Sequence, residues 1–144
     1  MSFSRCSRRW IVLILLVFGC SSLASADDAL YKDFGERPGL VRIMDDFMNN
    51  LLADPRTRPF FEKANQERIK AQLVEQFCEL LGGPCKYGGL DMKQAHAHLA
   101  IRQEHFNALV ENLQIAMDKH QVPFRAQNKL LAKLAPMHRD VITR

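Results

Sequence analysis

Three of the chain's five histidines fall within ten residues, in the stretch Asp91-Met92-Lys93-Gln94-Ala95-His96-Ala97-His98-Leu99-Ala100-Ile101-Arg102-Gln103-Glu104-His105-Phe106. Imidazole binds metals and shuttles protons near neutral pH, so such a cluster raises the question of a metal centre. A helix turns about 100° per residue, which sets His96 and His98 about 200° apart and prevents both from reaching one metal. On a strand they would share a face, but Met92, Lys93, Gln94, Ala95, Ala97 and Leu99 are helix formers. Met92 four before and Leu99 three after put His96 on the apolar face. His98 has Gln94 and Arg102 at the corresponding places, and beside His105 it is Phe106 that takes the inward position.

One inward imidazole has two readings: a core histidine satisfied by a backbone carbonyl, or a metal ligand. A structural zinc site wants about four close ligands. Cys78 and Cys85 are not a Cys-x-x-Cys pair, and the chain holds no His-Glu-x-x-His. No Cys-x-x-Cys-His occurs either, which excludes covalent c-type haem attachment through that motif. A single imidazole among Phe and Met residues suits a large apolar cofactor that brings its own metal, and haem with one proximal histidine meets that description.

The elements that position His96 are helical throughout. Leu40, Met44, Phe47, Met48 and Leu51 share a face of a segment that Arg37-Pro38-Gly39 opens and Asp54-Pro55 ends. A short turn then carries Phe60 and Phe61 inward. Asn65 can cap the next helix, with Ile69, Leu73, Phe77 and Leu80 at helical spacing, and Gly82-Gly83-Pro84 stops it. An irregular loop follows, and Asp91 can cap the helix of His96. Phe106, Leu109, Val110, Leu113, Ala116 and Met117 form one further stripe, and Leu130, Leu131, Leu134 and Met137 another, separated by Val122-Pro123. The expectation is an all-α domain, a small helical sandwich or bundle.

Upstream, Arg5, Arg8 and Arg9, the apolar run Trp10 to Phe18 and the small residues Ala24-Ser25-Ala26 read as an export signal cleaved before Asp27. The run is short of the roughly 20 residues that a membrane span needs. Residues 1–26 are thus expected to be a signal peptide and 27–144 the mature domain, exported and periplasmic. Two variants stay open: lipidation at Cys20, which would tether the domain to a membrane, and a twin-arginine signal around Arg8-Arg9. Three of the 20 Lys and Arg and none of the 16 Asp and Glu lie before Asp27, so the mature net charge is +1. The basic whole-chain balance therefore gives no support for nucleic-acid binding. Cys78 and Cys85 are left, either bridged, as an exported compartment permits, or two free thiols.

These features together resemble a group I truncated haemoglobin over residues 29 to 142. The resemblance rests on Leu30-Tyr31, Gly35, Leu52-Ala53-Asp54, Phe60-Phe61, Gly82-Gly83-Pro84, Tyr87-Gly88, the run Met92 to His96, His105-Phe106 and Val122-Pro123, in this order and spacing. It implies a truncated globin, two helices crossed over two, with haem b between them and His96 as the iron ligand. It also implies that Phe61 stacks on the haem edge and that Met92, Leu99, Phe106 and Leu109 line proximal and back walls. Arg68, Lys70 or Lys93 would meet the propionates, and a bond from His138 to a haem vinyl is a minor variant.

The distal side departs from the family pattern. Met48 and Leu73 stand where many members place a tyrosine and a glutamine that donate to bound oxygen, and Ile69 takes another distal position. Gln72 is the remaining polar candidate, with Met48 as a remote sixth ligand. The function implied is reversible binding of oxygen, nitric oxide or carbon monoxide, with nitric oxide detoxification as an associated activity that needs a reductant. The alternatives are a haem redox protein, peroxidase-like or electron-transferring, and a cofactor-free helical interaction protein. A monomer or weak dimer is expected.

Overall fold

The computed structural model describes residues 26–144, all helix and loop with no strand among them. Cys20 and the rest of the expected signal before Ala26 lie outside the described residues. Helix α1 (Ala26–Asp33) buries Leu30 and Tyr31, and Phe34 follows at 2% exposure. The chain then turns at Gly35, whose φ of 72° suits glycine. At Gly39 a side chain would collide with the Phe34 carbonyl, so glycine lets α2 start tight against that corner.

Helix α2 (Glu36–Ala53) buries Leu40, Ile43, Met44, Phe47, Met48 and Leu51, the face its spacing predicts. After Asp54-Pro55, the Thr57 hydroxyl donates to the Leu51 carbonyl at 2.8 Å and sets the entrance to the one-turn α3 (Arg58–Phe61). Helix α4 (Gln66–Leu80) begins where the Asn65 side chain accepts from the Arg68 amide at 3.0 Å. It ends in a glycine stop, with Gly82 at φ 82° and the Gly83 amide donating to the Cys78 carbonyl at 2.8 Å. Cys78 and Cys85 are joined by a disulfide, with Cα atoms 5.7 Å apart.

The loop after α4 runs to Asp91, whose carboxylate accepts from the Gln94 amide at 2.7 Å and caps α5 (Met92–His96). Helices α6 (Gln103–Lys119) and α7 (Phe124–Leu134) follow, then a 3₁₀ turn (Ala135–Met137) and the short α8 (His138–Val141). Helix α2 packs against both α4 and α6, α4 meets α7, and α5 rests on α8. Leu40, Met44, Leu51, Leu81, Leu113, Met117 and Leu130 are all at most 1% exposed where these helices cross. Burial of each such side chain contributes about 1.5–3 kcal/mol.

Polar cross-links fix α2 on α6. The Asn112 amide donates to Asp54 at 2.9 Å, and Asn50 donates to the Asn112 carbonyl at 3.2 Å. Asp46 takes Lys119 and His120, each at 2.7 Å. With α2 and α6 locked together, α4, α5 and the C-terminal turns are left to surround a cavity.

Candidate functional site

Two adjoining cavities, about 430 and about 370 Å³, share a wall. The common residues are Phe61 from α3, Ile69, Leu73 and Gln76 from α4, Met92 and His96 from α5, Phe106 and Leu109 from α6, and Val141 from α8. The larger cavity extends to Arg68, Gln72, Tyr87, Gly89, Leu99 and His105; the smaller reaches inward to Phe47, Phe77, Leu113 and Met137. Volumes of this size suit a ligand larger than a gas molecule, and the wall is mostly apolar, as such sites are.

His96 is half-buried, and its Nδ1 lies 2.6 Å from the Met92 carbonyl oxygen. A carbonyl can only accept, so Nδ1 carries the proton and Nε2 keeps a lone pair free for a metal. The bond to a carbonyl is what a core histidine would make; the cavity against the ring is what a ligand needs. His98 is exposed and borders neither cavity. Among the described residues no three His, Cys, Asp or Glu side chains converge on a metal-sized site. The His96 imidazole, sharing its cavity wall with Phe61, Phe106, Leu73 and Leu109, fits a flat apolar cofactor that carries its own metal, as haem does.

Several residues lie elsewhere than the sequence or the family resemblance led one to expect. Met48, expected on the distal wall, is buried at 3% exposure and lines neither cavity. Neighbours on a helix point about 100° apart, and it is Phe47 that turns to the smaller cavity, with Met48 buried beside it. His105, expected to face away, is half-buried on the wall of the larger cavity. Its ring packs on Phe60 at 4.9 Å, and its Nδ1 accepts from the Arg102 amide at 3.2 Å. His138 donates to the Gln103 side-chain oxygen at 2.7 Å, packs edge-on against Phe106 and lines neither cavity.

Of the cations suggested for propionates, Arg68 stands exposed at the larger cavity. Lys70 is drawn off to Asp45 at 2.7 Å and Glu67 at 2.8 Å, bonds that raise the pKa of its ammonium, with Asp45 the larger cause. Lys93 is exposed and borders neither cavity.

The polar content of the wall is small. Gln72 Oε1 is buried without a hydrogen-bond partner, the one such side-chain atom among the described residues. It sits beside Gly89 and Tyr87, where a side chain on Gly89 would collide with Gln72 Oε1 and the Tyr87 hydroxyl. Tyr87 donates to the Leu90 carbonyl at 2.8 Å, and its phenol pKa is raised by burial and, secondarily, by Asp91. Gln76, at 7% exposure, has its amide 3.7 Å from the sulfurs of both Met92 and Met137. Tyr87 and Gln76 join the wall beyond what the sequence leads one to expect, although Gln76 continues the face of Ile69, Gln72 and Leu73 by one turn.

The model of the family described as bacterial-like globin matches residues 29–143. A group 1 truncated hemoglobin from Mycolicibacterium paratuberculosis is 31% identical over 115 residues, covering 80% of this chain and 85% of that protein. Another from Tetrahymena pyriformis is 26% identical over 113 residues, 78% of this chain and 93% of the relative. Among solved structures, a variant of the Tetrahymena pyriformis truncated hemoglobin in its Fe(III) form superposes with a TM-score of 0.76 at 25% identity. It covers 80% of this chain and 98% of the other. The 2/2 hemoglobin of Synechococcus, solved in the cyanomet state with covalently attached heme, matches in fold with a TM-score of 0.73 at 22% identity, over 80% of this chain and 98% of that one.

Proposed function

The chain belongs to the bacterial-like globin family, and from that footing we propose that it binds haem b through His96 and takes up oxygen, nitric oxide or carbon monoxide in the same cavity. The observation that carries this reading is the His96 imidazole, aimed by the Met92 carbonyl and set in the wall of an apolar cavity. Phe61, Phe106, Leu73 and Leu109 would sandwich the macrocycle, with Leu99 at the mouth and Arg68 placed to meet a propionate. Bound haem supplies an iron that carries a gas ligand and, given an electron donor, can change oxidation state.

The residues around it set what that iron can do. Ile69 and Leu73 offer no hydrogen to a ligand, so the donor we assign is the Gln72 amide, whose oxygen lies buried without a partner in the same wall. A donor toward a partly negative ligand is worth about 1.5–3 kcal/mol. Oxygen would gain most from it; carbon monoxide, with less charge transfer, would gain less. Oxygen-dependent removal of nitric oxide, with one electron from a reductant, is the activity we assign to this arrangement.

We place the mature domain, 27–144, outside the cytoplasm. The basic, apolar and small-residue regions before Asp27 and the Cys78–Cys85 bridge support an oxidising compartment. The protein expressed with haem supplied should show a Soret band that His96→Ala abolishes. A colourless wild-type protein would overturn the reading.

A further inference from the structure

The His96 imidazole, whose Nε2 is left free, sits on a helix too short to hold itself. Helix α5 has five residues, and a segment of that length is not stable in isolation. Its first turn is capped by Asp91, but the direction of the His96 ring depends on what fixes α5 from outside. One such contact comes from α4. Gln76, sixteen residues away, is 7% exposed, and its Nε2 lies 3.7 Å from Met92 Sδ and 3.7 Å from Met137 Sδ.

This placement is not explained by stability. A thioether sulfur is a weak acceptor, and an amide buried against weak acceptors is worse off than an apolar side chain of similar size. What the amide does achieve is geometric. The residue whose sulfur it holds is the residue whose carbonyl accepts the hydrogen bond from His96 Nδ1, 2.6 Å away. The line therefore runs from Gln76 to the Met92 side chain, through the Met92 backbone, to the imidazole.

We propose that Gln76 is a positioning residue for His96, acting through Met92, so that the helix on the gas side of the cavity is tied to the iron-bearing ring. The inference rests on His96 being the haem ligand. Gln76 touches neither ring nor iron in this scheme; it fixes α5, and α5 fixes the ring. Met137 gives the same amide a second anchor on the C-terminal 3₁₀ turn.

The test uses Gln76→Leu, Gln76→Met, Met92→Leu and the double variant Gln76→Leu/Met92→Leu. In the ferrous protein without gas, the iron–histidine stretching band reports the ring directly. Each single variant should shift or broaden that band, and the double variant should go no further than either alone. In the apoprotein, the His96 Nδ1 proton should exchange roughly two- to tenfold faster in the Gln76 variants, the loss of about one weak hydrogen bond. Gln76→Met keeps the length and removes the amide, which covers failure of the leucine variant to fold. An unchanged band and unchanged exchange in a folded variant would overturn the proposal, as would additive effects of the Gln76 and Met92 changes. A wild-type protein without a Soret band would instead sink the haem reading, and the apoprotein exchange would still decide whether Gln76 orders His96.

Discussion

His96 Nδ1 and the Met92 carbonyl oxygen stand 2.6 Å apart, and this one bond leaves Nε2 as the nitrogen with a free lone pair. Because His98 is exposed and borders neither cavity, it has no share in that arrangement. His98→Ala should therefore keep the Soret band, in contrast to His96→Ala. Removal of haem from the wild type should empty the adjoining cavities and lower the melting temperature. A ligand at a thousandfold excess over its Kd stabilises by about 4 kcal/mol, which for a domain of this size is on the order of 10–20 °C. Calorimetry of the holo- and apoprotein measures the difference, and equal melting temperatures would contradict a haem held in this cavity.

Gln72 should give effects of opposite sign with and without a gas ligand. In the apoprotein its Oε1 is a buried acceptor without a partner, a state that costs about 1–3 kcal/mol. Gln72→Leu should therefore leave the apoprotein as stable or more stable. In the oxygenated protein the same change removes the assigned donor, and oxygen should leave roughly 10- to 100-fold faster, at about a factor of ten per 1.4 kcal/mol. Stopped-flow oxygen release checks this, and an unchanged rate removes Gln72 from the role.

What was legible in the sequence was whatever is decided locally. The Asn65 and Asp91 caps and the Gly82-Gly83 stop are each set by residues within a turn of themselves, and the helix limits follow. The fold class follows from the apolar stripes between those stops. Phase across helices is less readable: Phe47 and Met48 are both apolar and both buried, and only packing against α4 and α6 decides which one meets the cavity. The loop residue Tyr87 has no periodicity to read, since the disulfide and the bond from its amide to Glu79 at 2.8 Å place it. Gln76 was readable in principle, but a lone glutamine on an apolar face does not announce that its partners are two sulfurs.

The Cys78–Cys85 bridge ties the end of α4 to the loop that brings Tyr87, Gly89 and Leu90 to the cavity. Apart from it, that loop meets α4 through the Tyr87 amide, which donates to Glu79, and through Arg37, which contacts both Cys85 and Glu75. Replacing both cysteines by alanine should lower stability by roughly 2–3 kcal/mol, the value for a short closed loop. Haem loss to a scavenger such as apomyoglobin should also quicken, because the wall formed by residues 87 to 90 is released. If haem loss is unchanged while stability falls, the bridge serves the fold and not the cavity.

Ala100 lies at φ 51°, a left-handed conformation, in the turn between His96 and Ile101 that carries Leu99 to the cavity. That conformation costs an L-residue about 1–2 kcal/mol, against about 0.5–1 kcal/mol for the greater chain entropy of glycine. Ala100→Gly should gain about 0.5–1 kcal/mol, seen as a small rise in the apoprotein's melting temperature. A loss would mean that the alanine methyl contributes packing that outweighs its strain.

The pH dependence of stability should be governed by the acids that lock α2 onto α6. Bonds from the Arg56 side chain and amide, then from Asn112, hold the Asp54 carboxyl far below the usual carboxylate range. The Lys119 ammonium, followed by His120, lowers that of Asp46. A carboxyl whose pKa is lower in the folded state favours folding once it is ionised. That contribution is complete above the unfolded carboxylate pKa of about 4 and is lost as the pH falls from there toward the folded values. The apoprotein's melting temperature should therefore change little on account of these acids between about pH 5 and 7 and fall steeply below about pH 4. Asp54→Asn should flatten the acid limb, because the asparagine cannot titrate. An acid limb of the same slope in Asp54→Asn would show that the α2–α6 lock does not depend on the charge at residue 54.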